Sequence, residues 1–217
     1  MDANAVHIDL RGANLQGFDL RGSWFKHARL SRAHLQRANL FQAQMHRADF
    51  LGAQLQGANL GKVQLQGADF SVTGLQNAIL KGAQIQGANL FGAWMQNAFL
   101  FETQMQGADL FGVHLEETDL RGAQLQQTYL CSARLKGTNF LGANFAGSAL
   151  KDVDCRRLKN ITQRQLNEMF GDGSVQLPPF LSRPDFWPEE NLSWEEFEPR
   201  WRAWQKERGY TSDSNDA

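Results

Sequence analysis

At 217 residues and a formal net charge of −1, the chain is sized for one or two domains, and its balance points neither to nucleic acid nor to a polycationic partner. Its two cysteines, Cys131 and Cys155, form no ligand-spaced cluster and no disulfide framework, which fits a reducing, cytoplasmic setting. The start, Met1-Asp2-Ala3-Asn4-Ala5-Val6-His7, lacks the basic and apolar regions of a signal peptide, and no stretch approaches the roughly 20 apolar residues that cross a bilayer.

From Leu10 to Leu150 every fifth residue is large and apolar, 29 positions without a break: 20 Leu, five Phe, three Met and Ile85. Two residues before each of these centres, from Ala13 on, sits a small or slim residue, mostly Ala, with Phe18 a bulky exception. Asp, Asn or Gln usually comes just before the centre, and Gly comes two after it in more than half of the repeats. A period of five suits neither an α-helix at 3.6 nor a strand at 2. It suits a square: if five residues make one side, the centre and the small residue point inward on every side. Four such sides then close a coil, and successive coils pair as short parallel strands about 4.8 Å apart. Glycine near each corner relieves the backbone where a positive φ is needed.

The runs Gly12-Ala13-Asn14-Leu15-Gln16, Gly57-Ala58-Asn59-Leu60-Gly61 and Gly107-Ala108-Asp109-Leu110-Phe111 resemble the A(D/N)LXX pattern of pentapeptide-repeat proteins. The resemblance covers about residues 6–153. It implies an all-β solenoid: a right-handed quadrilateral parallel β-helix of about seven coils, roughly 35 Å long at strand spacing. The inward centres form four stacked columns, one of them Leu20, Leu40, Leu60, Leu80, Leu100, Leu120 and Phe140. Such columns leave no cavity, so function belongs to outward positions or the tail.

Outward residues carry a second period, of ten. Glutamine ladders run through Gln44, Gln64, Gln84, Gln104 and Gln124, and through two columns just after the centre, one of them Gln66, Gln86, Gln106 and Gln126. These read as stabilising amide stacks. The column Asp9, Arg29, Asp49, Asp69, Asn89, Asp109 reads as turn-bonding residues rather than paired catalytic carboxylates. His7 and His27 share a column without a third ligand, so no metal or cofactor is expected, and nothing in the pattern supports an enzyme. Aromatics break the polar rule: Phe91 and Phe111 on one face, Phe99 and Phe101 at one level of another, and Trp94 where a polar residue belongs. These five are the candidate partner surface. Residues 1–153 hold 13 Lys/Arg against 11 Asp/Glu, whereas residues 154–217 hold 9 against 12.

After Val153 the composition changes, which divides the chain into a β-helix over 1–153, a helical extension over 154–210 and a disordered tail over 211–217. Thr162, with Gln165 three residues on, predicts a short capped helix through Phe170, stopped at Gly171. The stretch from Phe170 to Pro188 is similar to the C-terminal extension of many bacterial pentapeptide-repeat proteins. Ser193 and Glu196 predict a second capped helix, in which Phe197, Trp201 and Trp204 form an apolar stripe and Pro199 introduces a kink. That stripe is a cap over the solenoid or a dimer contact. The first coil, near Met1, is open to self-association or to cover by the returning tail.

The reading that follows is a non-enzymatic scaffold that presents a rigid β-helical surface to a protein partner, without membrane contact or direct nucleic-acid binding. A homodimer would form through an open solenoid end or the C-terminal helix. The family resemblance implies an alternative, a DNA-mimicking effector of DNA gyrase. The mimics it implies are dimeric and strongly acidic, whereas this rod carries a slight positive charge and mostly glutamine columns.

Overall fold

The computed structural model describes residues 8–210, so the expectations for the first seven residues and for residues 211–217 lie outside the described residues. Within that range, hydrogen bonds turn the five-residue period into geometry. In the repeat from Asp109 to Val113 all five backbone N–H groups have partners. The Asp109 N–H donates to the Ala88 carbonyl of the preceding coil at 3.0 Å. Those of Leu110 and Gly112 donate to Tyr129 and Cys131 of the following coil at 3.0 and 2.9 Å. The Val113 N–H turns back to the Leu110 carbonyl at 3.2 Å, closing the corner. The Phe111 N–H donates to Asp109 Oδ1 at 3.0 Å. That side-chain bond recurs in the repeats of Asn14, Asp49, Asn89, Asp119 and Asn139, which is why Asp or Asn precedes the centre. Parallel bridges join each position to the one four repeats on, from Asp9–Arg29 to Tyr129–Ala149, so the chain forms a four-sided parallel β-helix.

Each face is named here by its first centre. Asp and Asn precede the centres of the Leu10 and Leu20 faces, and Gln dominates the Phe25 face and part of the Leu15 face. On the Phe25 face the glutamines link coils diagonally: Gln66 Nε2 donates to Gln84 Oε1 and Gln86 Nε2 to Gln104 Oε1, each at 2.7 Å. These amides cross-link successive coils, but between the two columns of the face rather than along one column as the stacking argument expects.

Every corner from Gly12 to Asp152 has a left-handed residue two after the centre, as a type II turn requires. Glycine takes it without strain, whereas Val72 holds φ 49° with a branched side chain. Inside, the centres from Leu30 to Leu150 are buried, and Phe50 stacks on Phe70 with centroids 4.8 Å apart. Each contributes roughly 1.5–3 kcal/mol. Threonines at the small inward position stay satisfied, since Thr73 Oγ1 donates to the Phe50 carbonyl and Thr103 Oγ1 to that of Leu80.

The ladder continues past the last regular repeat with a lengthening register. Strand β1 (Ser148–Ala149) pairs in parallel with β2 (Met169–Phe170), so Ala149 meets Phe170, one position beyond a regular coil. Asp154 then meets Gln176, two positions beyond. The inserted residues hold helix α1 (Gln163–Asn167), whose capping box from Thr162 and Gln165 is present. The helix ends at Asn167 rather than Phe170, because Met169 and Phe170 are taken into the ladder as β2. Gly171 acts as a close-approach residue rather than a helix stop: a Cβ there would lie 2.6 Å from the Trp187 ring. Gln165 Nε2 donates to the carbonyls of Phe140 and Ala143, and Ile161 and Leu166 complete the apolar closure of the last coil. The open edge is therefore covered by α1.

Helix α2 (Trp194–Glu207) lies against a side instead. It runs through Pro199, which faces solvent, and its stripe of Phe197, Trp201 and Trp204 is buried with Cys131, Ala149 and Phe170. Trp201 Nε1 and Gln205 Nε2 both donate to the Gly147 carbonyl. Lys151, at an outward position of the repeat, is 3% exposed; its Nζ donates to Asp172 Oδ2 at 3.0 Å and to the Leu192 carbonyl at 2.6 Å. The tail through Tyr210 stays by Gly147 and does not return to the first coil, where Leu10, Leu15, Leu20 and Phe25 are only partly buried.

Three tests follow from these contacts. Leu80→Asp puts an unpaired carboxylate into the core and should prevent folding, whereas Gln84→Ala removes one ladder bond and should cost about 1 kcal/mol in equilibrium unfolding. Val72→Gly should stabilise the rod by about 1 kcal/mol, read as a higher melting temperature, because it removes left-handed strain. The third concerns Asp172. Burial pushes this carboxyl up, but hydrogen bonds from Ser174, Lys151 and the Leu192 N–H outweigh it and hold the carboxyl below its usual range. A depressed folded value gives stability that is full above the unfolded pKa, about 3.9, and is lost as pH falls through the folded one. Acidification below about pH 4 should therefore release α2, seen as a tryptophan emission red shift. Asp172→Asn should destabilise the tail by about 3 kcal/mol at neutral pH.

Candidate partner surface

The five outward aromatics singled out in the sequence fall on three faces. On the Leu10 face, Phe91 stacks on Phe111 with centroids 5.6 Å apart, and Phe111 meets Trp194 of α2 at 5.5 Å. The stripe continues inward through Tyr129, which meets Trp194 and Trp201 at 6.5 and 5.4 Å. Phe91 is 47% exposed and Trp194 40%, while Phe111 between them is half-buried. The stripe is the free continuation of the surface on which α2 lies.

Further along the same column stands Cys131, buried under α2, where burial pushes the thiol well above its ordinary value. Lys151 follows, with its ammonium 5.0 Å from the Trp194 ring and 5.7 Å from the Phe197 ring. The latch on Asp172 thus also fixes the position of Trp194.

On the Leu15 face, Trp94 stacks on His114 at 4.5 Å, and Gln96 Nε2 lies 3.2 Å from His114 Nδ1. Burial and then Arg134 push the His114 pKa down, so the ring is neutral at pH 7. On the Leu20 face, Phe99 is 53% exposed beside Ile79 in the neighbouring coil. Phe101 lies between two cations, Lys81 Nζ at 5.2 Å and the Arg121 guanidinium at 5.5 Å from its centroid.

Phe91 and Phe111 are therefore brought together, Phe99 and Phe101 share a second patch, and Trp94 stands apart from both. Phe197, Trp201 and Trp204 bury their rings against their own solenoid. Sequence reasoning missed Ile79, although its place after Asn39 and Asn59 in an Asn column is a readable signal. It also missed Trp194, which lies off the stripe of α2, and Lys151, whose burial no local pattern announces. Among the described residues no group of His, Cys, Asp and Glu could hold a metal ion, and no helix is long and apolar enough to cross a membrane.

The family model for pentapeptide repeats (eight copies) matches residues 6–40, 33–71, 59–97, 100–137 and 118–156. Among solved structures, QnrB1, a plasmid-mediated fluoroquinolone resistance protein, is similar at a TM-score of 0.56 and 16% identity, over 76% of this chain and 89% of its own. HetL of the cyanobacterium Nostoc, involved in heterocyst differentiation regulation, is 25% identical over 83% of this chain and 87% of its own, with a TM-score of 0.30. A thylakoid-lumen pentapeptide repeat protein of Arabidopsis thaliana is 29% identical over 52% of this chain and 71% of its own, with a TM-score of 0.38. No curated protein matches this chain. The likeness to QnrB1 concerns the fold, and the repeats matched over most of the length, with the hydrogen-bonded squares they build, place this chain in the pentapeptide-repeat family.

Proposed function

We propose that this chain is a non-enzymatic binding module, a right-handed β-helix of about seven coils whose rigid side is offered to a protein partner. The observation that carries this reading is the stripe of Phe91, Phe111 and Trp194 on the Leu10 face. Its rings are held by stacking and by the buried Lys151, so little side-chain freedom is lost when a partner covers them. Flat, pre-ordered aromatics with one exposed side are the groups that dominate protein interfaces. The inward residues are taken up by the core, and this stripe differs from the other exposed apolar groups in continuing directly into the surface that α2 covers.

A second reading, a DNA-mimicking effector of gyrase, draws on the fold shared with QnrB1. Its weakness here is electrostatic. Mimicry of a duplex needs long rows of unneutralised acids, but Asp9, Asp19, Asp119 and Asp154 each pair with the arginine two residues on, at 2.6–2.7 Å. The remaining row on the Leu10 face is only Asp49, Asp69 and Asp109. Pairing with Arg11 lowers the Asp9 pKa to about 2, so the paired acids are full charges, locally cancelled.

Two assays separate the readings. Affinity capture from an extract of the source organism should recover a protein that is lost with Phe91→Asp and kept with Gln84→Ala. Purified gyrase should show neither inhibited supercoiling nor quinolone protection; a dose-dependent effect of either kind would put the gyrase reading first.

A further inference from the structure

The four sides of the rod differ in what already occupies them. Glutamines bonded between coils occupy the middle of the Phe25 face, and Trp24 is a single exposed ring at its N-terminal end. Helix α2 lies over the C-terminal part of the Leu10 face, and the Leu15 face has its Trp94–His114 stack. The Leu20 face is different: three of its large apolar residues, Ile79, Phe99 and Leu141, are 42%, 53% and 56% exposed, with no element among the described residues over them. We infer that this face is a self-complementary homodimer interface, joining two copies side by side and parallel about a two-fold axis that runs along the rods.

The argument rests on how residues stand across the face. Every coil presents two outward columns here, one before the centre and one after it. A two-fold axis parallel to the rods keeps each coil at its own level and exchanges the columns, so the residue before the centre meets the partner's residue after it. Applied to this sequence, the exchange puts Phe99 against Phe101 and the reverse, a four-ring cluster across the axis. It puts Ile79 on the aliphatic stem of Lys81. At two levels, five coils or roughly 24 Å apart, it sets opposite charges together, Asp19 against Arg21 and Asp119 against Arg121, and beyond the second it sets Leu141 against Asn139.

These acids and bases already pair within each chain, Arg21 Nη2 with Asp19 and Arg121 Nη2 with Asp119, both at 2.7 Å. Each guanidinium uses Nε and Nη2 for that pair, as the bonds of Arg121 at 2.8 and 2.7 Å show. Its Nη1 is left for the partner's carboxylate. The antiparallel register centred on Phe99 and Phe101 keeps the columns and sets Lys81 against Arg121, so it loses the charge pairing that column exchange provides. Phe41 does not disturb the packing: its ring lies over Gly61, where a Cβ would be 3.0 Å from Phe41 Cδ2. Closed two-fold pairing of one patch with itself is the commonest form of oligomer. A single face offers a few hundred Å² per copy, at the small end of specific interfaces, so association belongs in the micromolar range.

Sedimentation velocity on the full chain, from about 5 to 500 µM, tests this. The expected result is a dimer fraction that rises with concentration and disappears with Phe99→Asp. Asp119→Arg, which sets like charges together, should weaken association at least about tenfold. The exchange Asp119→Arg with Arg121→Asp should restore it to within about threefold, since column exchange preserves that pairing. As a readout independent of the charge variants, Ile79→Cys mixed with Lys81→Cys should cross-link through a short bis-maleimide more than either alone. A chain still monomeric at the top of the concentration range overturns the inference. So does a dimer insensitive to Phe99→Asp, which would lie at an end or on α2, or a well-folded exchange variant that stays as weak as the single reversal.

Discussion

The corner bond from the N–H three residues after each centre back to that centre's carbonyl closes every regular side. Where Asp or Asn precedes the centre, a second bond to its side-chain oxygen takes up the one donor left over. A square corner leaves one backbone donor in five with no coil above or below to take it. On the Leu10 and Leu20 faces the side-chain oxygen at hand accepts it, as Asp109 does for Phe111 and Asn139 for Leu141. The choice of residue before the centre thus comes from the turn. When Ile79, Trp94 or Phe99 stands there, the oxygen is given up. An apolar group at that position has no role in closing its own corner, which is the physical reason to read it as surface chemistry.

This logic also explains how much of the molecule could be read from the sequence. Inward and outward sides, the four columns and the left-handed corners all follow from a strict period of five. The capping boxes of both helices were legible because they are local. The extent of α1 was not, since Met169 and Phe170 are recruited by Ser148 and Ala149 of the coil before. Nor was the seat of the tail, because Lys151 looks like any outward lysine until Asp172 and the Leu192 carbonyl converge on it. The exposed aromatics were visible one by one, but their grouping depends on which face and level each occupies. Trp194 could join Phe111 only through a folded tail.

The tail itself is divided between two tasks that composition alone would merge. Helix α1 deals with an edge, and Gln165 supplies donors to carbonyls that no further strand reaches. Helix α2 deals with a side, and its indole and amide donors converge on the single carbonyl of Gly147. The buried pair of Lys151 and Asp172 holds the intervening loop. It is a specific latch whose geometry, more than its net energy, fixes where α2 lies.

The lengthening register at the end of the ladder has a consequence for how such a rod can change length. Between Asp9 and Ala149 every bridge joins positions four repeats apart, so duplicating or deleting one whole coil at any corner there returns every centre to its column. Past that point the partners slip, by one position where Ala149 meets Phe170 and by two where Asp154 meets Gln176. A regular coil appended after Gln176 would meet the one below out of phase. The tail therefore acts as a terminator, while the stretch before it is free to lengthen or shorten by whole turns. Lineages of this chain should differ by complete coils upstream of Ser148, with the spacing from Ser148 to Gln176 held constant.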